Sequence, residues 1–526
     1  MQNLQHRQKI GIMLAIMAAV LFTAINQIIV GIALPAIISD LGGLDYFSWI
    51  FTAYMLAACV VTVIAGRLSD VYGRKPFILT GVIVLLVGSI LAGTATDVIE
   101  LIIYRVIQGV GGGLILASCF TAVGDLFPTR ERARWQGLLG ASYGLASVLA
   151  PPMGGFISDH WHWKWVFWIF TPIGFLALIL ILFLYPSMEK KQKQKQKQKQ
   201  SIDYVGAALL IITMITSLLT FSWAGRRFDW DSPEILSLLV STIFSSILLL
   251  LTERRTEHPI IPLPLFRNST FVISILVTFL MGASMLGSLL FMPIYLQGIL
   301  GLSATSSGTI MMIMTLCLVA ASVLCGQLVS RSGKYKNIAI FGLLITSIGI
   351  YLLSTLTAQT DLSTILTYLA LVGVGIGIAL PLFNLTIQNS VDHKNLGIAT
   401  AVGQLFRQLG ASIGVALMGN LMSYNMYSEL AKRISHITSP QVISVTKGVI
   451  NRMDIRQLSL INPGKFTELN LTSIPDAKIL QEVVITIRES LNVGLSYVFI
   501  GSALPAFVAI LLVIFLREIP LRITKE

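Results

Sequence analysis

Charged residues make up only 12% of this 526-residue sequence against 55% hydrophobic, and the mean hydropathy is +0.80. That is too little charge to clothe a soluble globule of this length, so lipid is the expected solvent. Cysteine is equally sparse: Cys59, Cys119, Cys317 and Cys325 all fall inside apolar runs. They read as small packing residues, with no disulfide framework or metal site among them. No phosphate-binding loop and no nucleophile–base arrangement is present, which argues against ATP as a partner and against an enzyme. No cofactor is implied. The net charge of +12 is not gathered on a soluble basic module, so nucleic acid is not an expected partner either.

What is abundant is apolar sequence. A bilayer core of roughly 30 Å needs about 20 mostly apolar residues per helical crossing. Fourteen such stretches run through residues 10–38, 49–65, 76–94, 98–123, 135–157, 165–185, 204–223, 235–251, 271–296, 303–329, 337–356, 362–387, 396–422 and 491–515. The first follows Arg7 and Lys9 but has no convincing small-residue cleavage site, and it carries Asn26 and Gln27; it reads as a retained helix. The expected fold class is an all-α, multi-pass integral membrane protein embedded in a lipid bilayer.

Basic residues set the expected orientation, because short loops rich in Lys and Arg stay in the cytoplasm. With both termini cytoplasmic, the inner segments hold 24 Lys and Arg, and the short outer loops hold Lys164, Arg226 and Arg227 alone. The outer segment 423–490 carries eight more, and a loop of that length crosses regardless of charge. Tryptophans such as Trp49, Trp135, Trp165 and Trp223 stand at or beside the ends of the apolar stretches, the level an amphipathic ring prefers.

The chain also repeats itself. Gly66-Arg67-Leu68-Ser69-Asp70-Val71-Tyr72-Gly73-Arg74-Lys75 follows the second apolar stretch, and Gly326-Gln327-Leu328-Val329-Ser330-Arg331-Ser332-Gly333-Lys334 follows the tenth. Gly109 to Gly113 has its counterpart in Gly373 to Gly377. Duplicated six-helix units flanking two inserted helices are the expected organisation. Residues 1–185 form the first bundle, 186–203 a Lys/Gln linker, 204–268 the inserted seventh and eighth helices, and 269–526 the second bundle with its outer loop 423–490. The alternating Lys-Gln run is like-charged and not expected to fold; contact with anionic headgroups is the other reading of it.

Five stretches, in order, resemble a known family. Gly66 to Pro76, Arg105 to Gly112 and Ala150-Pro151-Pro152-Met153-Gly154-Gly155 are similar to the signature motifs of major facilitator drug:proton antiporters. Gly124 to Arg132 and Phe406 to Gly410 resemble the fourteen-helix multidrug branch. The resemblance covers nearly the whole chain. It implies the major facilitator fold and secondary active export of amphipathic, cationic or zwitterionic compounds in exchange for protons, from a bacterial cell membrane. The expected partners are therefore small-molecule substrates and protons.

Particular residues carry these expectations. Gly66 and Gly73 permit a tight turn, and Asp70 can accept from a neighbouring helix terminus or pair with Arg74. With Lys75 this set reads as a conformational latch; the alternative is that Arg67, Arg74 and Lys75 are only topological anchors. Arg105 lies inside a spanning helix, where an unpaired guanidinium costs at least about 2.5–3.5 kcal/mol. The resemblance gives it a part in proton transfer, with Glu100 and Asp97 the nearest acidic candidates; capping of freed carbonyls, and plain helix-end solvation of the two acids, are the alternatives. Gly144, Pro151, Pro152, Gly154 and Gly155 form a small-residue, proline-bent surface, which the resemblance reads as a hinge between bundles.

The polar side chains within spans, Asn26, Gln27, Gln108, Tyr143, Asn384, Gln388, Gln404, Arg407 and Gln408, are candidates for a substrate cavity or for helix-to-helix hydrogen bonds. Asn26 departs from the family, which has Asp there. An amide can neither carry a proton nor pair with a cationic drug, and Asp40 lies about 21 Å further along the helix. That departure keeps open a specific metabolite exporter or facilitator without proton coupling, and, from another class, a non-transporting membrane sensor. His160 and His162 sit in a Trp-rich loop without Cys or acidic ligands nearby in sequence, so no metal site is expected.

Overall fold

The computed structural model describes residues 6–41, 47–186, 203–224, 228–256, 263–302, 304–392, 395–436 and 477–519. All fourteen expected apolar stretches are occupied by helices. In chain order they are α1 (His6–Leu41), α2 (Phe47–Tyr72), α3 (Arg74–Ala92), α4 (Val98–Leu126), α5 (Thr129–His160), α6 (Thr171–Leu184, led in by the turn Trp165–Trp168) and α7 (Tyr204–Trp223). The remainder are α8 (Pro233–Arg255), α9 (Ser269–Leu289), α10 (Ala304–Ser332), α11 (Lys336–Leu353), α12 (Leu362–Asn389), α13 (Leu396–His436) and α14 (Ala477–Ile514). Without water to satisfy the backbone, a chain in hydrocarbon closes its hydrogen bonds within helices. Several starts are fixed by caps: Ser232 accepts from the Ile235 amide, Asn268 from Thr270 and Phe271, and Asp361 from Ser363.

Among the described residues, eleven helices are long and apolar enough to cross a membrane by length and composition. The others have identifiable reasons for falling short. In α7 the apolar part, Val205–Phe221, is short, while α5 and α13 carry glycines, glutamines and arginines along their length.

Helices α1 to α6 pack together, with α2 and α3 against α4 and α1 against α5 and α6, around a core that includes Phe22, Leu85, Ile115 and Phe167. Helices α9 to α14 do the same, with α9 and α14 against α13 and α10 and α11 against α12. The two sets meet through α5 on α10 and α2 on α13, the pairing expected of two copies of one unit related by an approximate twofold. Helices α7 and α8 lie against each other, and α7 touches α2 and α13, sharing a core of Val63, Met214, Phe271 and Val402.

Two features exceed the sequence expectation. Helix α13 continues to His436 and α14 begins at Ala477, and Arg433 pairs with both Glu429 and Glu489 on these extensions. The end of α9 passes Pro293 into a π-helical stretch, Tyr295–Ile299, where the Tyr295 hydroxyl donates to the Thr357 carbonyl at 2.8 Å. The Lys/Gln run and the middle of the expected outer loop, residues 437–476, lie outside the described residues.

Candidate functional site

The turn between α2 and α3 is built on Gly73, whose φ of 89° favours glycine. This turn brings Arg74 back onto α2. Arg74 pairs with Asp70, donates from Nη1 to Ser69 Oγ at 2.6 Å, and from Nε to Asp125 Oδ2 of α4 at 3.0 Å. Both Asp70 and Arg74 side chains are 5% exposed. The remaining capacity of Asp70 is spent on the other half of the molecule: its two oxygens accept from the Gly397 and Ile398 amides at 3.1 and 3.2 Å. These are first-turn donors of α13 without helical partners, at the positive end of the helix dipole. Close approach is possible because Gly66 faces Gly397; a methyl group at Gly397 would lie 2.3 Å from the Gly66 carbonyl oxygen.

The companion contact of α5 on α10 is also built on small residues. A methyl group at Gly137 would meet the Ser322 carbonyl at 2.6 Å, one at Gly326 the Ala133 carbonyl at 2.6 Å, and one at Gly144 the Val319 side chain at 2.3 Å. The Ser322 hydroxyl donates to the Gly137 carbonyl at 3.1 Å. Gln388 of α12 donates to the Phe120 carbonyl of α4 at 3.2 Å and to Thr400 at 3.1 Å.

Deeper in the first set of helices lies a wholly buried polar chain. Arg105 is 0% exposed. It donates to Gln108 Oε1 at 2.8 Å and to the carbonyls of Ile50 and Asn26 at 3.1 and 3.2 Å, and its guanidinium carbon stands 4.4 Å from the Tyr54 ring centroid. Gln108 Nε2 in turn reaches Ser89 Oγ at 2.9 Å and Asn26 Oδ1 at 3.3 Å. Hydrogen bonds from a charged donor are worth about 1.5–3 kcal/mol each and a desolvated cation–π contact about 2 kcal/mol. Together they offset the burial of the guanidinium with neutral acceptors and a ring in place of a carboxylate.

A third polar group lies between the two sets. Tyr143 of α5 donates to Gln27 Oε1 of α1 at 2.7 Å, and Gln27 Nε2 donates to the Met55 sulfur of α2 at 2.9 Å. From the other side Gln408 of α13 points at the same sulfur at 3.6 Å, and Arg407 donates from Nε to Gln404 Oε1 at 3.1 Å and from Nη2 at 2.5 Å. Arg407 is within electrostatic reach of Tyr143 and Cys59.

A family model described as Major Facilitator Superfamily matches residues 16–415. The chain belongs to the major facilitator superfamily. It is 34% identical over 506 residues to the multidrug transporter protein MdtP of Bacillus subtilis, covering 96% of this chain and 92% of that one. To multidrug resistance protein 3 of the same organism it is 30% identical over 515 residues, covering 98% and 96%. Among solved structures, the proton:xylose symporter XylE superposes with a TM-score of 0.61 at 14% identity, over 98% of each chain. The human organic anion transporter MFSD10 superposes at 0.58 and 12%, over 78% of this chain and 93% of that one; both likenesses speak to fold alone. The two packed sets are thus the six-helix bundles of a major facilitator fold with α7 and α8 inserted, and the chain is a multi-span membrane transporter.

Within this major facilitator chain the sequence-selected residues divide in space. Gly66, Asp70, Gly73 and Arg74 come together, whereas Lys75 turns away and donates to the Leu182 carbonyl of α6 at 2.8 Å. Glu100 does not meet Arg105: it accepts from the Thr96 amide at 2.9 Å and from the Tyr104 hydroxyl at 2.6 Å, and Asp97 caps α4 through the Ile99 amide. Gln27, Tyr143, Gln404 and Arg407 stand at the interface. Asn26 and Gln108 are packed inside the first bundle instead, and Gln388 sits near the α2–α13 contact with Asn384 one helical turn away. Of the expected hinge, Gly144 packs on α10, Gly154 is buried and Pro152 is exposed; the surroundings of Pro151 and Gly155 lie outside the described residues. Sequence reasoning missed Tyr54, Ser89 and Met55, and the Gly397 amide as the mate of Asp70. A Gly immediately after the predicted start of α13 was the one available signal for that amide.

Proposed function

We propose that this transporter exports amphipathic small molecules from the cytoplasm across a bacterial cell membrane, by alternating access of its two bundles. The observation that carries the reading is the bond between bundles at the α2–α3 turn: one carboxylate, Asp70, holds two backbone amides of α13. That contact is strong enough to favour one arrangement and small enough to break in a cycle. The two Bacillus subtilis relatives, a multidrug transporter and a multidrug resistance protein by name, support a broad substrate range. The excess of bases in the segments on the side of that turn supports placing it in the cytoplasm. Of the charge classes expected from the sequence, zwitterions suit the mid-membrane charges better than cations, because those charges are Arg105 and Arg407.

Exchange for protons is the finer part of this proposal. The polar chain around Arg105 holds an amide, Asn26, where a proton carrier is expected, and this favours a second reading in which export is not driven through that position. Both parts are tested by retention of fluorescent amphipathic compounds in cells with and without the protein, and by pH recording in proteoliposomes. Lower retention is expected in expressing cells. Unchanged retention across a broad panel overturns export, and absence of substrate-dependent proton movement overturns exchange alone.

A further inference from the structure

The acids of this protein avoid the membrane interior. On α1 to α12 each carboxylate lies among the three terminal residues of its helix, and Glu429, Glu482 and Glu489 belong to the extensions of α13 and α14 beyond the expected membrane ends. Deep in the spans stand two cations. Arg105 is enclosed in its own bundle, but Arg407 faces the opposite bundle. It is eleven residues into α13, about 16 Å along the helix axis, which is mid-depth in a bilayer core of roughly 30 Å.

The hydrogen-bond acceptors around Arg407 are neutral: the Gln27 and Gln404 amide oxygens and the Met55 sulfur. Gln404, Arg407 and Gln408 share one face of α13 by their spacing, and Met55 and Cys59 share one face of α2. The two amide groups that point into this space, from Gln27 and Gln408, both converge on the Met55 sulfur, a weak acceptor. The guanidinium itself bonds to the neutral oxygen of Gln404. Each of these donors would gain from an anionic oxygen, since charge-assisted bonds are about twice as strong as neutral ones. A cationic head here would meet Arg407 with no carboxylate at that depth among the described residues, and like charges in low dielectric repel strongly.

We propose that the space between α1, α2, α5 and α13 is a binding site for the anionic group of the substrate, with Arg407 as the specificity-determining residue and the Gln27 and Gln408 amides as additional donors. The preferred substrates are then amphipathic compounds bearing a carboxylate or another monoanionic group, including zwitterions that present one. This rests on the transport reading above and narrows it.

The test compares three probes in proteoliposomes and inside-out vesicles: a carboxylate-bearing fluorophore, its methyl ester, and a permanently cationic dye. Wild-type protein is expected to transport the carboxylate with at least about tenfold higher kcat/KM than the ester. Arg407→Gln is expected to raise KM for the carboxylate about tenfold or more, so that the carboxylate-to-ester ratio of kcat/KM falls to within about twofold of unity. Arg407→Lys is expected to keep most of the preference. Should Arg407→Gln not accumulate in the membrane, the wild-type ratio and the lysine variant carry the test. Wild-type protein that moves ester and cation but not carboxylate overturns this proposal alone. Equal loss of all three probes in Arg407→Gln alongside normal accumulation makes Arg407 structural, and also overturns it. Movement of none of the probes by wild type overturns it together with the transport reading.

Discussion

Asp70 and Gly397 lie in different bundles, yet the Asp70 carboxylate caps the helix that begins beside Gly397, at 3.1 Å from its amide. The same carboxylate is paired with Arg74, which is held in turn by Ser69 and Asp125. Position and charge are therefore coupled. The turn that places Arg74 also sets how firmly Asp70 can hold the second bundle.

Removal of the carboxylate should weaken this end of the interface in two ways. A lost helix cap costs about 0.5–2 kcal/mol, and Arg74 keeps only one of its two carboxylate partners, Asp125. Asp70→Ala is expected to reduce transport by more than tenfold and to raise the labelling rate of single cysteines placed along the α2–α13 seam. Asp70→Asn, which keeps an acceptor, is expected to fall between. Unchanged labelling in Asp70→Ala would show that the bond does not hold the seam closed.

Glycine at 397 is required by space. Its missing side chain leaves room for the Gly66 carbonyl and for Asp70 Oδ1, which a methyl group would approach to 2.3 and 2.5 Å. Gly397→Ala is expected to part the two helices and lower transport to a similar extent as Asp70→Ala, without additivity in the double variant, because both act on one contact. Additive losses in a double-variant cycle would refute the shared contact.

Helices α7 and α8 provide a contrast. Thr216 meets Thr242 and Thr213 meets Ser245, each at 2.9 Å between hydroxyl oxygens. Interhelical hydrogen bonds in membranes average about 0.6 kcal/mol, so Thr216→Val and Ser245→Ala should each lower thermal stability slightly and leave transport rates unchanged. A transport loss exceeding about twofold at normal expression would give the inserted pair a part in the cycle.

What the sequence reveals and conceals follows from the reach of each signal. Hydropathy marks every helix because the bilayer demands a continuous apolar run, but it ends α13 at Met422 and starts α14 at Leu491. The actual helices run on to His436 and back to Ala477, where water replaces lipid and the Arg433 pairs with Glu429 and Glu489 take over. Gly66 and Asp70 are legible as a turn. Their mate is not, since Gly397 is 327 residues away from Asp70 and reveals itself only by the folded distance. Asn26 and Gln27 are neighbours of one chemistry, yet a turn of about 100° per residue sends Asn26 into the bundle and Gln27 to the interface. Polarity in a span says that a partner exists; only the packing says which.

The chain from Arg105 through Gln108 to Asn26 provides the last prediction. Arg105 is satisfied by neutral acceptors and by the Tyr54 ring, although its Nη2 and the Tyr54 hydroxyl have no hydrogen-bond partner among the described residues. The chain thus already tolerates a buried cation and has room for stronger acceptors. Asn26→Asp puts a carboxylate where Oδ1 now lies, 3.3 Å from Gln108 Nε2, one side chain removed from the guanidinium. A carboxyl there can gain and release a proton during the cycle, which the amide cannot. The expected result is at least about twofold more proton movement per substrate in reconstituted Asn26→Asp than in wild type. Arg105→Ala is expected to abolish that gain and to destabilise the protein by at least about 2 kcal/mol, because the acceptors at Ile50, Asn26 and Gln108 lose their donor. Equal proton movement in wild type and Asn26→Asp would show that this position does not set coupling.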